Sequence, residues 1–266
     1  LRLARAATGR NKVALFAGSY HGQSDGVLGT AEDGGTVPFA PGITPGAVGD
    51  LLILEYGAPQ SVEAIRAHRH ELAAVLVEPV QSRRPDLQPA DFLKAVREIT
   101  GEAGIPLIFD EVVTRDPLGM GGGQEYYNTI PDLTVMGKII THGYPSCGAV
   151  GGKREMMALC HPGSVAGKTA YTGGTMSANP ISTTAGYQSL KCIQKYDAIT
   201  KASDYGDRIT ARLNELFATR KDLPFFAYNI RSIVHVETSC PSGTFLVANS
   251  RGVSAEEQKL RTKAAE

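Results

Sequence analysis

Three features are scarce in this sequence: cysteine, net charge and long apolar runs. The four cysteines, at positions 147, 160, 192 and 240, are widely spaced and form no CxxC pair. That spacing disfavours a metal site or a disulfide framework and favours a reducing cytoplasm. The 27 basic and 27 acidic residues cancel, so charge gives no reason to expect nucleic acid or an anionic membrane as a partner. No apolar run approaches the roughly 20 residues that a membrane-spanning helix needs. We therefore expect a cytoplasmic protein.

The sequence instead contains apolar runs that alternate with amphipathic segments. The clearest unit is a predicted strand at 72–80, a predicted helix at 89–102 and a predicted strand at 105–113. The helix carries four apolar residues on one face: Phe92, Leu93, Val96 and Ile99. The two strand-like runs are apolar without alternation, which is typical of strands buried on both faces of a sheet. We therefore predict an α/β fold, with a mostly parallel sheet flanked by helices.

Weaker patterns predict the remaining elements. Strands are expected at 13–17, 51–56, 132–136 and 148–151, and helices at 1–7, 61–70, 179–196 and 204–220. Gly9 suits the left-handed end of the first helix, and Ser61 suits the N-cap of the second. After Pro224 short β-like pieces follow at 225–228 and 232–237, and then a charged, helical stretch at 254–266. We therefore predict a large domain over residues 1–200 and part of a small C-terminal α+β domain over residues 201–266.

Polar residues follow four of the apolar runs, at the sheet edge where ligands bind in open parallel sheets. They are Tyr20 with His21, Glu78, Asp110 and Lys138. Taken alone, each has an ordinary interpretation: a rim aromatic, a hydrogen-bonded histidine, a loop carboxylate or a solvated lysine. Asp110, however, directly follows an apolar strand, and a carboxylate at the edge of a core needs a cationic partner. Their common position predicts one polar crevice.

Five segments, in this order and at this spacing, resemble the class III aminotransferases, a family of pyridoxal 5'-phosphate (PLP) enzymes that includes glutamate-1-semialdehyde aminomutase. They are residues 16–22 (FAGSYHG), 77–81 (VEPVQ), 107–112 (LIFDEV), 131–138 (PDLTVMGK) and 173–180 (GGTMSANP). Residues 77–89 are also similar to aminotransferase domains of polyketide and nonribosomal peptide synthases. The resemblance implies a PLP-dependent transferase of fold type I, whose large domain binds the cofactor.

The resemblance gives the two central residues their roles. Lys138 would hold PLP as an aldimine and then move a proton between the substrate's amine-bearing carbon and the cofactor. Asp110 would pair with the protonated ring nitrogen and keep the ring an effective electron sink. Burial beside a cationic cofactor would also lower the pKa of the lysine, which must be unprotonated to attack a carbonyl.

The resemblance implies supporting roles for five further residues. Tyr20 would stack on one face of the cofactor ring, and Val112 would support the other face. His21 and Glu78 would lie beside the cofactor. Thr175 would bind the cofactor phosphate of the neighbouring subunit, so a homodimer is expected. Small-molecule amines and keto compounds would be the substrates.

Three departures from the family's pattern leave the reaction open. The chain is shorter than a complete member, without the phosphate-binding loop that precedes residues 1–7 and most of the small domain. Arg115, Asp116 and Pro117 stand where the family has Gly-Phe-Arg, and residues 139–145 replace a glycine-rich turn after Lys138. Aminotransfer from an amine or amino acid to a carbonyl acceptor is the expected reaction. A 2,1-amino shift, racemisation and a non-catalytic scaffold are the alternatives.

Overall fold

The computed structural model describes residues 1–141, 143, 144, 148–163, 167–220 and 225–238. Its strands are β1 (Lys12–Phe16), β2 (Gly29–Glu32), β3 (Gly35–Pro38), β4 (Leu51–Leu54), β5 (Leu72–Val77), β6 (Leu107–Asp110), β7 (Leu133–Met136), β8 (Ala149–Gly152), β9 (Phe226–Ile230) and β10 (Ile233–Glu237). Its α-helices are α1 (Arg2–Thr8), α2 (Pro45–Val48), α3 (Pro59–Ala67), α4 (Ala90–Glu102), α5 (Arg115–Leu118), α6 (Gly122–Tyr126), α7 (Arg154–Met157), α8 (Pro180–Lys195) and α9 (Ala198–Thr219). Short 3-10 helices span Asp25–Val27, Lys138–Thr141 and Ala158–Cys160.

The described residues form a central six-stranded sheet in the order β4-β1-β5-β6-β7-β8. Neighbouring strands are parallel from β4 to β7, and β8 pairs with β7 in the antiparallel direction. The predicted α/β fold with a mostly parallel sheet is therefore confirmed. The chain passes from β1 to the neighbouring β4 on one side, and from β5 to β6 on the other. This reversal opens a crevice between the carboxyl ends of β1 and β5.

Apolar side chains on both faces explain why β5 lies in the middle of the sheet. All six residues of β5 are buried. Val75 and Val77 join a core on one face that also contains the apolar residues of α4. Ala74 and Leu76 join a second core on the other face, which includes residues of α1 and β1. The strand alternates between two cores, so its sequence shows no polar alternation.

Two predicted helix starts have different outcomes. α8 begins as predicted, because the Oδ1 atom of Asn179 accepts a hydrogen bond from the backbone N–H of Ser182 at 3.0 Å. The predicted N-cap of the second helix was wrong. Pro59 starts α3 two residues earlier, since its fixed φ suits a first helical turn. Ser61 lies inside that turn, where its hydroxyl donates to the Glu55 carbonyl oxygen at 2.6 Å.

The C-terminal part of the described chain consists of α9 and an antiparallel hairpin of β9 and β10. α9 packs against β9 and also contacts α5 and α8. Helix α9 begins at residue 198, close to the predicted domain boundary at residue 200, and the division into two domains stays a prediction. The helix predicted at 254–266 lies outside the described residues. No helix of the described residues is long and apolar enough to cross a membrane.

Candidate active site

Asp110 is the best-defined group at the carboxyl edge of the sheet. It ends β6 and its side chain is 9% exposed. Its Oδ2 atom lies 2.8 Å from Nδ1 of His21, and its Oδ1 atom accepts the backbone N–H of Val112 at 3.1 Å. Two donors thus orient the carboxylate, and both come from residues that the sequence placed in the site.

His21 reaches Asp110 across 89 residues of sequence, and its side chain is 3% exposed. Because a carboxylate only accepts hydrogen bonds, this contact assigns a proton to Nδ1 of the imidazole. Nε2 is buried and has no hydrogen-bond partner among the described residues. The contact therefore directs the Nδ1 proton of His21 at the Asp110 carboxylate.

Glu78 lies next to this pair, just after β5. Its Oε2 atom accepts the backbone N–H of Tyr20 at 3.1 Å, and its Oε1 atom accepts that of Ser82 at 3.3 Å. Burial raises the pKa of the Glu78 carboxyl above its usual range, and the negative charge of Asp110 adds to the increase. The two backbone N–H bonds and His21 act in the opposite direction. Glu78 thus joins the loop after β1 to the loop after β5.

Tyr20 and Val112 lie beside these carboxylates. The Tyr20 residue is 52% exposed, so its ring is open to a partner from solution. The side chain of Val112 packs against Gly137, where an added Cβ would lie 3.4 Å from two of its methyl groups. Gly137 directly precedes Lys138, so Val112 connects the end of β6 with the residue that follows β7.

Lys138 begins the 3-10 helix after β7, and α8 packs against that helix. Its residue is exposed, and its backbone is left-handed with φ 50°. β7 pairs with β6 so that Val135 lies opposite Asp110. The lysine therefore leaves the strand next to the one that ends in Asp110, as the sequence predicted. Residues 142 and 145–147, in the altered segment beyond it, lie outside the described residues.

Thr175 is the predicted site residue that stands apart. It is exposed and lies four positions before Asn179, the N-cap of α8. Since α8 packs against the 3-10 helix that begins with Lys138, the Thr175 segment is joined to the site through that helix. Its role toward a phosphate on a neighbouring subunit stays a prediction.

Two site features have no counterpart among the predicted roles. The first is Glu111, whose buried carboxylate accepts hydrogen bonds from the Thr114 hydroxyl at 2.6 Å and from the N–H groups of Gly123 and Gln124 at 2.7 and 3.0 Å. The Glu111 carboxylate thus joins the segment after β6 to the first turn of α6. The available signal was the pair of acidic residues, Asp110 and Glu111, directly after the apolar run 106–109, but a role was assigned to Asp110 alone.

The second feature is Asp116, at the departure from the family's pattern. It lies in α5 and is 3% exposed. Neither carboxylate oxygen has a hydrogen-bond partner among the described residues. Burial raises the pKa of this carboxyl, and the nearby Glu111 raises it further, while Arg115 lowers it. Burial without a hydrogen-bond donor therefore disfavours the ionised form of Asp116.

The geometry presents three complementary groups along one edge of the sheet. They are an oriented carboxylate at Asp110, an accessible aromatic ring at Tyr20 and a primary amine at Lys138. Such a set suits a planar, cationic ring that carries a carbonyl group. Among the described residues, no cluster of three histidine, cysteine, aspartate or glutamate side chains could hold a metal ion.

Comparisons with known proteins agree with this arrangement. The family model for class III aminotransferases matches residues 1–231. A glutamate-1-semialdehyde 2,1-aminomutase of Thermomicrobium roseum is 45% identical over 196 residues, which are 72% of this chain and 44% of that protein. An omega-transaminase from Sphaerobacter thermophilus matches with a TM-score of 0.77 and 32% identity, over 96% of this chain and 59% of that chain.

A second solved structure, a transaminase with PLP bound, also has a TM-score of 0.77, with 31% identity over 90% of this chain and 56% of that chain. These likenesses confirm the fold type I architecture that the resemblance implied. This chain spans about half the length of the curated relatives it matches.

Proposed function

We propose that this chain, which belongs to the class III aminotransferase family, is the cofactor-binding part of a PLP-dependent enzyme that moves amino groups. The observation that carries the proposal is the double anchoring of Asp110 by His21 and Val112, in the crevice where the sheet connections reverse. Lys138 follows the adjacent strand. The amino donor would be an amine or an amino acid, and the acceptor would be a carbonyl compound.

The residues of the chain fit the cofactor by charge and shape. PLP, when bound, supplies an electron sink for the carbon that carries the substrate's amino group. Asp110 would present a fixed negative charge to the ring nitrogen and hold a proton there, since a carboxylate in a low-dielectric site favours a cationic neighbour. His21 keeps Asp110 oriented, and the exposed face of Tyr20 would stack on the ring.

Lys138 has two tasks in this proposal. Its Nζ atom would hold the cofactor through the cofactor's carbonyl group. With substrate in the site, the same nitrogen would move a proton at the substrate's amine-bearing carbon. Val112 would support the ring face opposite Tyr20, Glu78 holds the adjoining loops, and Thr175 would bind the phosphate of a neighbouring site.

Reductive trapping tests the covalent role of Lys138. The protein is incubated with PLP, treated with borohydride, digested and examined by mass spectrometry. We expect the phosphopyridoxyl mass on the peptide that contains Lys138. Lys138→Ala should lose the visible absorbance of bound cofactor and the modified peptide. Lys94→Ala removes an exposed lysine on α4 and should change neither, so it is the matched control.

Two outcomes would contradict the proposal. One is modification spread over many surface lysines in the wild-type protein, with no preference for Lys138. The other is a bound chromophore that persists unchanged in Lys138→Ala. Either result would show that Lys138 does not hold the cofactor, whereas the absence of bound cofactor in both proteins would favour the non-catalytic scaffold.

A 2,1-aminomutase is the second candidate, because the Thermomicrobium roseum relative carries that name at 45% identity. The two reactions differ in whether an external carbonyl acceptor is consumed. Turnover of an amino aldehyde without added acceptor would select the mutase, whereas a ping-pong pattern with separate donor and acceptor would select aminotransfer.

We further propose a homodimer in the cytoplasm. The dimer is inferred from the exposed Thr175 segment, which would complete a neighbouring subunit's phosphate site. The compartment is inferred from the cysteines. Cys160 and Cys192 are free thiols, and the cysteines at positions 147 and 240 lie outside the described residues.

A further inference from the structure

The packing of the Tyr20 side chain does not fix the orientation of its ring. The residue is 52% exposed, so core packing does not hold the ring in one direction. An exposed aromatic can offer a fixed face to a ligand only if its backbone is held in place. The contacts of residues 17–20 therefore decide how well the ring is presented.

Gln81 makes the principal contacts to this segment. Its residue is 3% exposed, and its Nε2 atom donates to the Ala17 carbonyl oxygen at 2.7 Å and to the Ser19 hydroxyl oxygen at 2.9 Å. Both amide hydrogens are thereby used. A flipped amide would place its oxygen against the Ala17 carbonyl oxygen, so the hydrogen-bond network fixes the orientation of the amide.

Glu78 completes the connection from the same turn. Its carboxylate accepts the backbone N–H of Tyr20 at 3.1 Å. The segment between β1 and His21 is thus held near its beginning, at its middle and at its end by two side chains that lie three positions apart.

The turn that carries these two side chains is itself joined to the core by Tyr56. The hydroxyl of Tyr56 is placed to donate to the carbonyl oxygens of Glu78 and Pro79, at 2.8 and 2.9 Å. The Tyr56 ring packs edge-to-face on Phe16 and Phe92, with ring centroids 5.7 Å from each. The support therefore extends from the buried core, through the turn after β5, to the loop that carries Tyr20.

Gly18 makes room for this arrangement. Its φ of +81° favours glycine, and an added Cβ would lie 3.4 Å from Oε1 of Gln81. A larger residue would strain the loop and crowd the amide.

We propose that Gln81 is a positioning residue that, together with Glu78, fixes the loop of Tyr20 and thereby sets the affinity of the site for a planar ring. The inference rests on the proposed PLP function and deepens it. Gln81 would act through the loop, by its hydrogen bonds to Ala17 and Ser19. If the loop were looser, it would have to become ordered when the ring binds, and this cost would weaken the affinity for the ring.

The first measurement is hydrogen exchange on the protein without added cofactor. Gln81→Met keeps the length of the side chain and removes its donors. The Ala17 residue is exposed, so water can replace the lost bond and the fold is retained. We expect faster amide exchange in residues 17–21 of this variant. Gln88→Met removes an exposed glutamine from the same inter-element segment and should leave the exchange unchanged.

The second measurement is PLP affinity, read from the titration of cofactor fluorescence and from the induced circular dichroism of the bound ring. Losing two hydrogen bonds should weaken PLP binding in Gln81→Met by about 5- to 30-fold. The induced circular dichroism should also change, because it reports how the ring is held. Ser19→Ala, a milder variant that removes one acceptor, should weaken binding less. Its effect should be smaller when Gln81 is already methionine.

The outcomes separate this inference from the proposed function. If the wild-type protein binds PLP at Lys138 and Gln81→Met binds it within twofold, the inference fails alone. Unchanged exchange in residues 17–21 would also overturn it. If the wild-type protein binds no PLP, the proposed function fails, and the positioning role fails with it. Faster exchange together with weaker binding, in Gln81→Met but not in Gln88→Met, supports the inference.

Discussion

Replacing Asp132 by alanine tests how β6, which ends in Asp110, and β7, which precedes Lys138, are held together. Asp132 directly precedes β7, and its side chain is 8% exposed. Its Oδ2 atom accepts the Leu107 backbone N–H and an N–H of Arg97, both at 2.8 Å, while Oδ1 lies 2.6 Å from Nζ of Lys153. One side chain thus joins the beginning of β7 to the beginning of β6.

The contacts give the expected size of the effect. Alanine would leave the buried N–H of Leu107 without an acceptor, which costs about 1–3 kcal/mol. The side chains of Arg97 and Lys153 are 24% and 55% exposed, so water can replace their partner. Each lost ion pair should therefore add less than about 1 kcal/mol. We expect the free energy of unfolding to fall by about 2–4 kcal/mol, and the melting temperature by about 5–15 °C.

Thermal unfolding followed by far-ultraviolet circular dichroism at pH 7 measures this change. Asp132→Asn keeps an acceptor for the Leu107 N–H and should lose clearly less than the alanine variant. A melting temperature of Asp132→Ala within about 1 °C of the wild-type value would refute the reasoning, since the unpaired Leu107 N–H alone predicts a larger shift than that.

The pH dependence of the stability difference between the wild-type protein and Asp132→Ala is a second check. Burial raises the pKa of the Asp132 carboxyl, but hydrogen bonds from Lys153, the Leu107 N–H and Arg97 outweigh burial and leave it lowered. A group with a lowered folded pKa stabilises the protein above its unfolded pKa and loses that contribution as the pH falls. The wild-type advantage over Asp132→Ala should be complete at pH 7 and should shrink below the ordinary aspartate range, about pH 4.

Two further predictions concern the segment after β6. Asp116→Asn should raise the melting temperature at pH 8 and have little effect near pH 4. A carboxyl whose pKa is raised in the folded state makes the folded protein less stable as the pH rises through that pKa. An equal effect at both pH values would count against a buried, ionising Asp116. Gly122→Ala should destabilise the fold by about 1–3 kcal/mol, since Gly122 has φ +70° and an added Cβ would lie 2.6 Å from a Glu111 carboxylate oxygen. Gly42→Ala, with φ +97° and open space around it, measures backbone strain alone and should cost less in the same denaturant titration.

The sequence predicts the order of the elements well where burial dominates. The unit of β5, α4 and β6 was predicted within a few residues, because buried strands read as continuous apolar runs. Strand ends were predicted too long. The strand predicted at 72–80 ends at Val77, because Glu78 and the residues after it turn to hold the neighbouring loop. The hairpin of β2 and β3 was missed because none of its strand residues is buried. The Asp33–Gly34 pair at its turn was the available signal, and both residues have positive φ.

The site was predicted as a set of residues but not as a set of contacts. A sequence shows that His21 and Asp110 follow strands that share an edge, and it does not show that an imidazole nitrogen lies 2.8 Å from a carboxylate across 89 residues. Gln81 was part of a matching segment, yet its two hydrogen bonds depend on the path of a loop 60 positions earlier in the chain. Such contacts depend on side-chain rotamers and turn geometry, which periodicity does not specify.

The left-handed backbone of Lys138 has a consequence for protein engineering. A non-glycine residue in this conformation costs roughly 1–2 kcal/mol, and Lys138 has φ 50°. If stability alone were selected, glycine would be preferred here, and a screen for heat resistance would tend to discard the lysine. With the role proposed for Lys138, stability and activity therefore oppose each other at a single backbone position. A stabilised form of this protein should be sought elsewhere in the sheet, with position 138 held constant.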